Sequence, residues 1–240
     1  MAKALASLDD AREYFDRLPH QLEEYFDDAY QNAFNNLMAA MQQFFDITET
    51  VNQQAEDEHV ISSHEATDIG EHGFTLLLKL IDLMEKLDLP QKRMEIEQIS
   101  LIFARWIIRH QGRLNHIEPL VNAFAHSANS MSDKGSLTIL AEFMTMVIDA
   151  SSDDIKHDLD SANLYRPWRL LHINRGIVAT RTHNIELMKK VFDEMLLYLP
   201  QEADAFFNEA MNEMDTLDYP PNVRKIIEQY HLHRPRMRLH

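Results

Sequence analysis

Residues 22–45, LEEYFDDAYQNAFNNLMAAMQQFF, carry the pattern that decides the fold class. Large apolar side chains recur at intervals of three and four residues throughout this stretch, which is the spacing of one helical face. Acidic and amide side chains fill the positions between them and are expected to face water. The apolar positions are Leu22, Tyr25, Phe26, Ala29, Tyr30, Ala33, Phe34, Leu37, Met38, Met41, Phe44 and Phe45. The stretch therefore predicts one long amphipathic helix.

Two roles are open for this apolar stripe. It can be the core face of the helix, or it can pair with the same helix of a second subunit, because its spacing also suits a coiled-coil seam. A helix over residues 20–58 would be about 58 Å long at 1.5 Å per residue, which is longer than a compact domain of this size needs. We therefore expect the helix either to break near Thr48–Asn52 or to project and form a homodimer through residues 22–45.

The rest of the chain repeats the helical period, and its prolines divide it into segments. All eight prolines are predicted to lie at boundaries, since proline is tolerated in the first helical turn but not in helix interiors. Ser62 and Glu65 have the spacing of a capping box, which opens a helix that reaches about Leu87. Further helices are predicted over 91–110, 117–131, 135–150, 153–160, 167–182, 185–199, 201–216 and 221–232.

These segments predict an all-α protein of about 9–11 helices, because no alternating strand pattern bounded by turn residues occurs. The C-terminal helices are short and closely connected, so antiparallel helical hairpins are expected, forming a bundle or a short solenoid-like array. We divide the chain into an acidic N-terminal helical segment (1–60), a helical-hairpin array (61–232) and a basic, flexible tail (233–240).

Composition limits the classes of function. The chain has 240 residues, a net charge of −16 and no cysteine, so disulfides and cysteine nucleophiles are excluded. The N-terminus lacks the apolar core of a signal peptide, and Lys79 and Asp82 interrupt the best apolar run, so we expect a cytoplasmic protein without a membrane span. Nucleic-acid binding is disfavoured because so acidic a protein repels phosphates.

One stretch of this acidic chain is basic. Residues 161–185 contain four arginines and two histidines, with no acidic residue. On a helix that begins at Pro167, one arc carries Leu170, Ile173 and Ile177 and is expected to face the core, so the opposite arc is expected to face outward. The candidate recognition surface consists of Arg166, Trp168, Arg169, His172 and Arg175.

Two interpretations of this surface are open. Arginine forks recognise carboxylates and phosphates, and tryptophan offers a face for cation–π contact, so the arc suits an acidic peptide, a carboxylate ligand or a phosphate. Alternatively, the arginines form internal ion pairs with the acidic N-terminal third, since residues 1–72 hold 16 acidic and 3 basic side chains. A buried, paired row of arginines would favour the second interpretation.

Residues 169–202 resemble a tetratricopeptide-type helical hairpin. In that family a glycine is followed by a large apolar residue sixteen positions on and by a proline eight further, as at Gly176, Phe192 and Pro200, with RTHN at the turn between the helices. Met188 stands where the family prefers alanine, and Trp168 is out of register with the family's tryptophan. The resemblance implies a helix-hairpin scaffold.

His64, Asp68 and His72 lie at positions i, i+4 and i+8, and therefore share one face of the helix that Ser62 opens. Imidazole and carboxylate are ligands for zinc and iron, so a helical-bundle metal-binding protein or hydrolase is the alternative hypothesis. The sequence has no Gly-rich phosphate loop, Gly-x-Ser-x-Gly elbow or His-Glu-x-x-His motif. We therefore expect no enzymatic activity and, zinc or iron apart, no cofactor.

The leading hypothesis is a cytoplasmic helical interaction or scaffold module that self-associates. It would recognise an acidic or carboxylate-bearing partner, either another protein or an acidic peptide, through the arginine-bearing surface.

Overall fold

The structure, a computed structural model, describes residues 7–26, 28–56 and 61–232. These ranges contain eleven α-helices and no strand, which confirms the predicted all-α fold class. The helices are α1 (Leu8–Leu22), α2 (Asp28–Glu56), α3 (Ser63–Lys86), α4 (Pro90–Arg109), α5 (Glu118–Ser130), α6 (Lys134–Ala150), α7 (Asp153–Lys156), α8 (Pro167–Thr182), α9 (Ile185–Tyr198), α10 (Pro200–Thr216) and α11 (Pro221–Leu232). Helices adjacent in sequence pack together in the pairs α3–α4, α8–α9 and α10–α11. Their arrangement as antiparallel hairpins stays a prediction.

Prolines and capping side chains set most of the helix ends. Four prolines occupy the first residue of a helix, where the missing N–H would have no intrahelical partner. The four are Pro90, Pro167, Pro200 and Pro221. The Ser62 hydroxyl accepts a hydrogen bond from the backbone N–H of Glu65, whose carboxylate accepts one from the backbone N–H of Ser62, so the predicted capping box is confirmed.

Pro19 departs from the predicted pattern because it lies inside α1 rather than at a boundary. It belongs to the last turn of that helix, which ends three residues later at Leu22. The hydrogen bond that proline cannot donate is therefore one of the last in α1, where its loss disrupts little of the helix.

The apolar stripe of residues 22–45 does not form one helix. The chain makes a 3-10 turn at Glu23–Tyr25 and extends at Phe26, with φ −103° and ψ 132°. α2 then continues without interruption through Thr48–Asn52. The helix therefore breaks at its start and not near residue 50, so the predicted position of the break is wrong. The turn allows α1 to pack on α2, which buries apolar faces of both helices.

Contacts group the chain into two compact units. The first consists of the described residues up to Ala123 together with Met146–Leu159, and it contains the acidic N-terminal segment. The second consists of Phe124–Thr145 together with the described residues from Asp160 onward. The predicted basic tail lies outside the described residues. Within the part of the chain that the structure describes, no helix is long and apolar enough to cross a membrane.

Aromatic rings build the core of the first unit. The centroids of the Phe44 and Phe103 rings lie 4.6 Å apart. Gly73 leaves space for these rings, because a Cβ at this position would lie 2.6 Å from the Phe44 ring. Trp106 is buried beside them and donates its indole N–H to Oδ1 of Asn52 over 3.0 Å. Six described members of the stripe are buried, namely Leu22, Phe34, Met38, Met41, Phe44 and Phe45. A homodimer through residues 22–45 stays a prediction.

The second unit is built around α8, which packs on α9. Gly176 permits a close approach, because a Cβ at this position would lie 2.7 Å from Cε of Met195 and 2.7 Å from Cζ of Phe206. Phe192 and Phe207 meet edge to face with ring centroids 5.2 Å apart. Polar side chains of α8, His172 and Arg175 among them, are buried together with apolar ones.

Candidate functional site

The basic helix α8 turns its predicted outward arc inward. Trp168, His172 and Arg175 are buried, the last two without exposed surface, whereas Ile177 from the predicted core arc is 47% exposed. The prediction of an outward-facing row is therefore wrong for these side chains. The cause is the packing at Gly176, which brings that arc of α8 against apolar side chains of α9 and α10.

Arg166 and Arg169 share one carboxylate, that of Glu202 at the start of α10. Arg166 Nη2 lies 3.3 Å from Oε1, and Arg169 Nε donates to Oε2 over 2.8 Å. Burial by itself raises the pKa of Glu202, but hydrogen bonds and positive charge from Arg169 and Arg166 outweigh it, so the pKa of this carboxyl is lowered. Glu202 is consequently ionised at neutral pH, and the three side chains together carry one net positive charge.

Arg175 pairs with α9. Its Nη2 lies 2.7 Å from Oε2 of Glu194, and its Nη1 donates to Oγ1 of Thr145 over 3.2 Å. Carboxylates of α9 and α10 thus lie beside these arginines, while pairing with the acidic N-terminal third stays a prediction. Short connections bring α9 and α10 against α8, which places Glu194 and Glu202 within reach.

His172 sits in an aromatic cage. Its ring lies 4.5 Å from that of Trp168 and 5.4 Å from that of Tyr198. Burial, reinforced by the charge of Arg175, lowers the pKa of His172 to about 3. The imidazole is therefore neutral at physiological pH and cannot serve as a cationic recognition group, contrary to the sequence-based expectation. Neither ring nitrogen has a hydrogen-bond partner among the described residues.

Exposed apolar side chains lie on the two segments that adjoin the Glu202 ion group in sequence, since Leu164 and Tyr165 precede Arg166, and Leu197 and Tyr198 precede the start of α10. Leu164, Tyr165, Leu197 and Tyr198 are 58%, 83%, 70% and 45% exposed. We refer to these four side chains with Arg169 as the α8–α9 patch. Arg169 links the two parts of the patch. Its Nη1 donates to the backbone oxygen of Leu164 over 2.9 Å. The ring of the preceding residue, Trp168, lies 6.0 Å from that of Tyr198.

The sequence analysis missed this patch, although one signal was present. Residues 196–199 read LLYL, and four consecutive large apolar residues cannot all face the same core from one helix. At least one of them had to face solvent.

A second feature lies at the opposite end of α8. A cleft of about 350 Å³ opens between the start of α6, the end of α8 and the α10–α11 connection. Its polar lining consists of Lys134, Arg181, His183, Asp218 and Tyr219, together with Ser132. No sequence signal pointed to it, because these residues come from three segments that are far apart along the chain.

The predicted metal ligands lie on an exposed face of α3 in the first unit. His64 Nε2 is 3.6 Å from Asp68 Oδ2, and both side chains are largely exposed, as is His72. The nearby Glu71 bonds instead to His116 at 2.7 Å. Across the residues that the structure describes, no three His, Asp or Glu side chains are grouped closely enough to hold a metal ion. A zinc or iron site stays a prediction.

Comparison with models of protein families, with curated proteins and with solved structures finds no match in any of the three. The likeness of residues 169–202 to a tetratricopeptide hairpin thus stays a local resemblance.

Proposed function

We propose that the protein is a helical interaction module whose α8–α9 patch binds an amphipathic segment of another protein. The bound segment presents apolar side chains to the four exposed residues of the patch and a carboxylate to Arg169. One observation carries the proposal: four large exposed apolar side chains lie on the segments that adjoin the partly exposed Arg169 and its partner Glu202.

The apolar part of the patch supports association with a protein surface. Large exposed apolar clusters are uncommon on monomers and mark interaction sites, and tyrosine and arginine are enriched among the residues that dominate binding. The loop that presents Leu164 and Tyr165 is fixed, since the backbone N–H of Tyr165 donates to Oδ1 of Asn163 over 2.9 Å. Asn163 in turn donates to Asp160 over 3.0 Å. A fixed loop loses less conformational entropy on binding.

The charge of the patch supports the acidic character of the partner. Arg169 carries a positive charge at a partly exposed position in a chain of net charge −16, beside a carboxylate that it shares with Arg166. The Arg169 side chain keeps 18% of its surface exposed, and its Nη2 makes no hydrogen bond to a described residue. A partner carboxylate at this nitrogen would form a further charge-assisted hydrogen bond with Arg169.

A displayed library of random twelve-residue peptides tests the proposal. Selection on the full-length protein should enrich peptides that combine large apolar residues with Asp or Glu. A Tyr165→Ser/Leu197→Ser variant should lose at least tenfold in affinity for them, since two apolar anchors are removed. The matched control is Ile139→Ser, which changes a 66% exposed side chain of α6 and should bind as the parent does.

Arg169 is tested separately. The Arg169→Gln variant should still bind the apolar peptides but lose the preference for acidic ones. Enrichment of no peptide family, or equal binding by the double variant and the parent, would contradict the proposal. Concentration-dependent self-association that disappears in the double variant would assign the patch to a second copy of the chain instead.

A further inference from the structure

We infer that the cleft at the C-terminal end of α8 is a binding site for a small carboxylate with an apolar body. The site belongs wholly to the second unit and is separate from the α8–α9 patch, since α8 spans about 24 Å at 1.5 Å per residue. Its volume of about 350 Å³ lies in the range of small-molecule sites.

The cleft has a rigid wall. Arg181 Nη1 donates to the backbone oxygen of Ala128 over 2.8 Å, and its Nη2 donates to that of Met131 over 2.6 Å. These bonds fix the end of α5 and orient the Arg181 guanidinium. No carboxylate of a described residue forms an ion pair with this guanidinium. The positive charge of Arg181 therefore acts on the cleft, while two of its five N–H donors are already occupied.

Three polar groups in the cleft are uncommitted. The Lys134 ammonium and the Tyr219 hydroxyl make no hydrogen bond or ion pair with any residue that the structure describes, and Nδ1 of His183 is buried without a described partner. The His183 and Tyr219 rings contact each other at 5.6 Å. The Lys134 ammonium and the Tyr219 hydroxyl are therefore the groups available to bond a ligand, whereas Nδ1 of His183 is closed off from the cleft by its burial.

The ligand chemistry follows from these groups. Lys134 and Arg181 supply two positive charges, and Asp218 is the one carboxylate among the described lining residues. Nearby, Asp133 is committed to Ser136, whose backbone N–H donates to it over 2.7 Å, and Glu213 lies close enough to influence Tyr219. The lining thus favours a single negative charge and not a phosphate dianion.

Neutral imidazole fits this assignment. Burial, reinforced by the charge of Lys134, lowers the pKa of His183, so the ring is neutral at pH 7 and offers one N–H. The neutral ring adds no third positive charge, and the Lys134 ammonium and the Tyr219 O–H match the two oxygens of a carboxylate. Leu137 and Leu217 line the same cleft and provide contact for an apolar body.

Titration with hexanoate and benzoate tests the inference on the full-length protein carrying ¹³C-labelled histidine rings. Saturable shifts of the His183 ring signals are expected, whereas hexanamide, benzamide and inorganic phosphate should leave them unchanged. The His183→Gly variant identifies those signals. Glycine suits the left-handed backbone there (φ 57°), so this variant is expected to keep its fold.

Charge at the cleft is tested with a matched pair of variants. Lys134→Met should weaken carboxylate binding roughly tenfold, since it removes one charge-assisted hydrogen bond. Lys190→Met removes an exposed lysine of α9 with no described ion pair and should not change the affinity. The inference is overturned by absence of saturable shifts, by equal binding of the amides, by tighter binding of phosphate, or by equal losses in the two lysine variants.

Discussion

Nη2 of Arg175 lies 2.7 Å from Oε2 of Glu194, and the Arg175 side chain has no exposed surface. A guanidinium buried to this degree is tolerated only when a carboxylate and further acceptors surround it. This ion pair therefore joins α8 to α9, and the burial of the Arg175 guanidinium depends on the Glu194 carboxylate.

Removing the carboxylate should destabilise the protein. We expect Glu194→Ala to lower the free energy of unfolding by about 3 kcal/mol, because the Arg175 charge then stays buried without it. Glu194→Gln should lower the free energy of unfolding by a smaller amount, since the amide oxygen still accepts a hydrogen bond. Urea denaturation measures both. Glu209→Ala changes an exposed residue of α10 and should stay within about 0.5 kcal/mol of the parent. If Glu194→Ala lowered the free energy of unfolding by less than about 1 kcal/mol, the ion pair would contribute little to stability.

His172 should make stability depend on pH. Its pKa is about 3 in the folded protein and near 6.5 once the chain unfolds. Between these values the unfolded state binds the proton and the folded state does not, so stability falls as the pH falls, by at most about 1.4 kcal/mol per pH unit. Glu202, whose pKa is lowered on folding, adds a loss in the same direction at more acidic pH.

The contribution of His172 is isolated by replacing its ring. His172→Phe keeps an aromatic ring between Trp168 and Tyr198 but cannot take up a proton. Its stability should fall less steeply than that of the parent between pH 6.5 and 4.5, as followed by urea denaturation at several pH values. His64→Phe changes an exposed histidine and should follow the parent curve. Identical slopes for the parent and His172→Phe would contradict the assignment.

Gly176 should tolerate alanine far better than valine. A new Cβ would meet the flexible end of Met195 and the ring of Phe206, both at 2.7 Å. Met195 can move aside, and the gain in helix propensity, close to 1 kcal/mol, offsets part of the strain for alanine. Gly176→Val adds two methyl groups in the same space and should cost about 2 kcal/mol more than alanine. Thermal denaturation of both variants measures the difference, and equal stability would mean that α8 and α9 separate easily.

The metal hypothesis has a direct test. His64 and Asp68 are exposed and 3.6 Å apart, and no third described ligand joins them, so we expect no stoichiometric zinc or iron in untagged protein. Elemental analysis after dialysis against zinc measures this. One equivalent of zinc that is lost in a His64→Ala/His72→Ala variant would establish the site.

Helix positions could be predicted from the sequence because their signals are local. Proline at a first turn and the Ser62–Glu65 capping box act within a few residues of the helix end that they determine. The break before α2 was missed because the apolar spacing continues through Glu23–Tyr25, and periodicity does not show where the chain folds back.

The orientation of α8 could not be predicted because it depends on residues distant in sequence. A helix that packs against neighbours on several faces has no single core face. Its arginines can therefore face inward where carboxylates such as Glu194 and Glu202 lie close to them. The cleft near His183 was missed for the same reason, as its three segments meet only after folding.

Trp168, whose ring contacts that of His172, also provides a fluorescence probe of unfolding. The chain has two tryptophans, Trp106 in the first unit and Trp168 in the second. Replacing either one by phenylalanine leaves a single tryptophan, so the tryptophan emission of each variant reports on the loosening of one unit alone. Comparison of the two melting curves would establish whether the chain unfolds in one transition or in two.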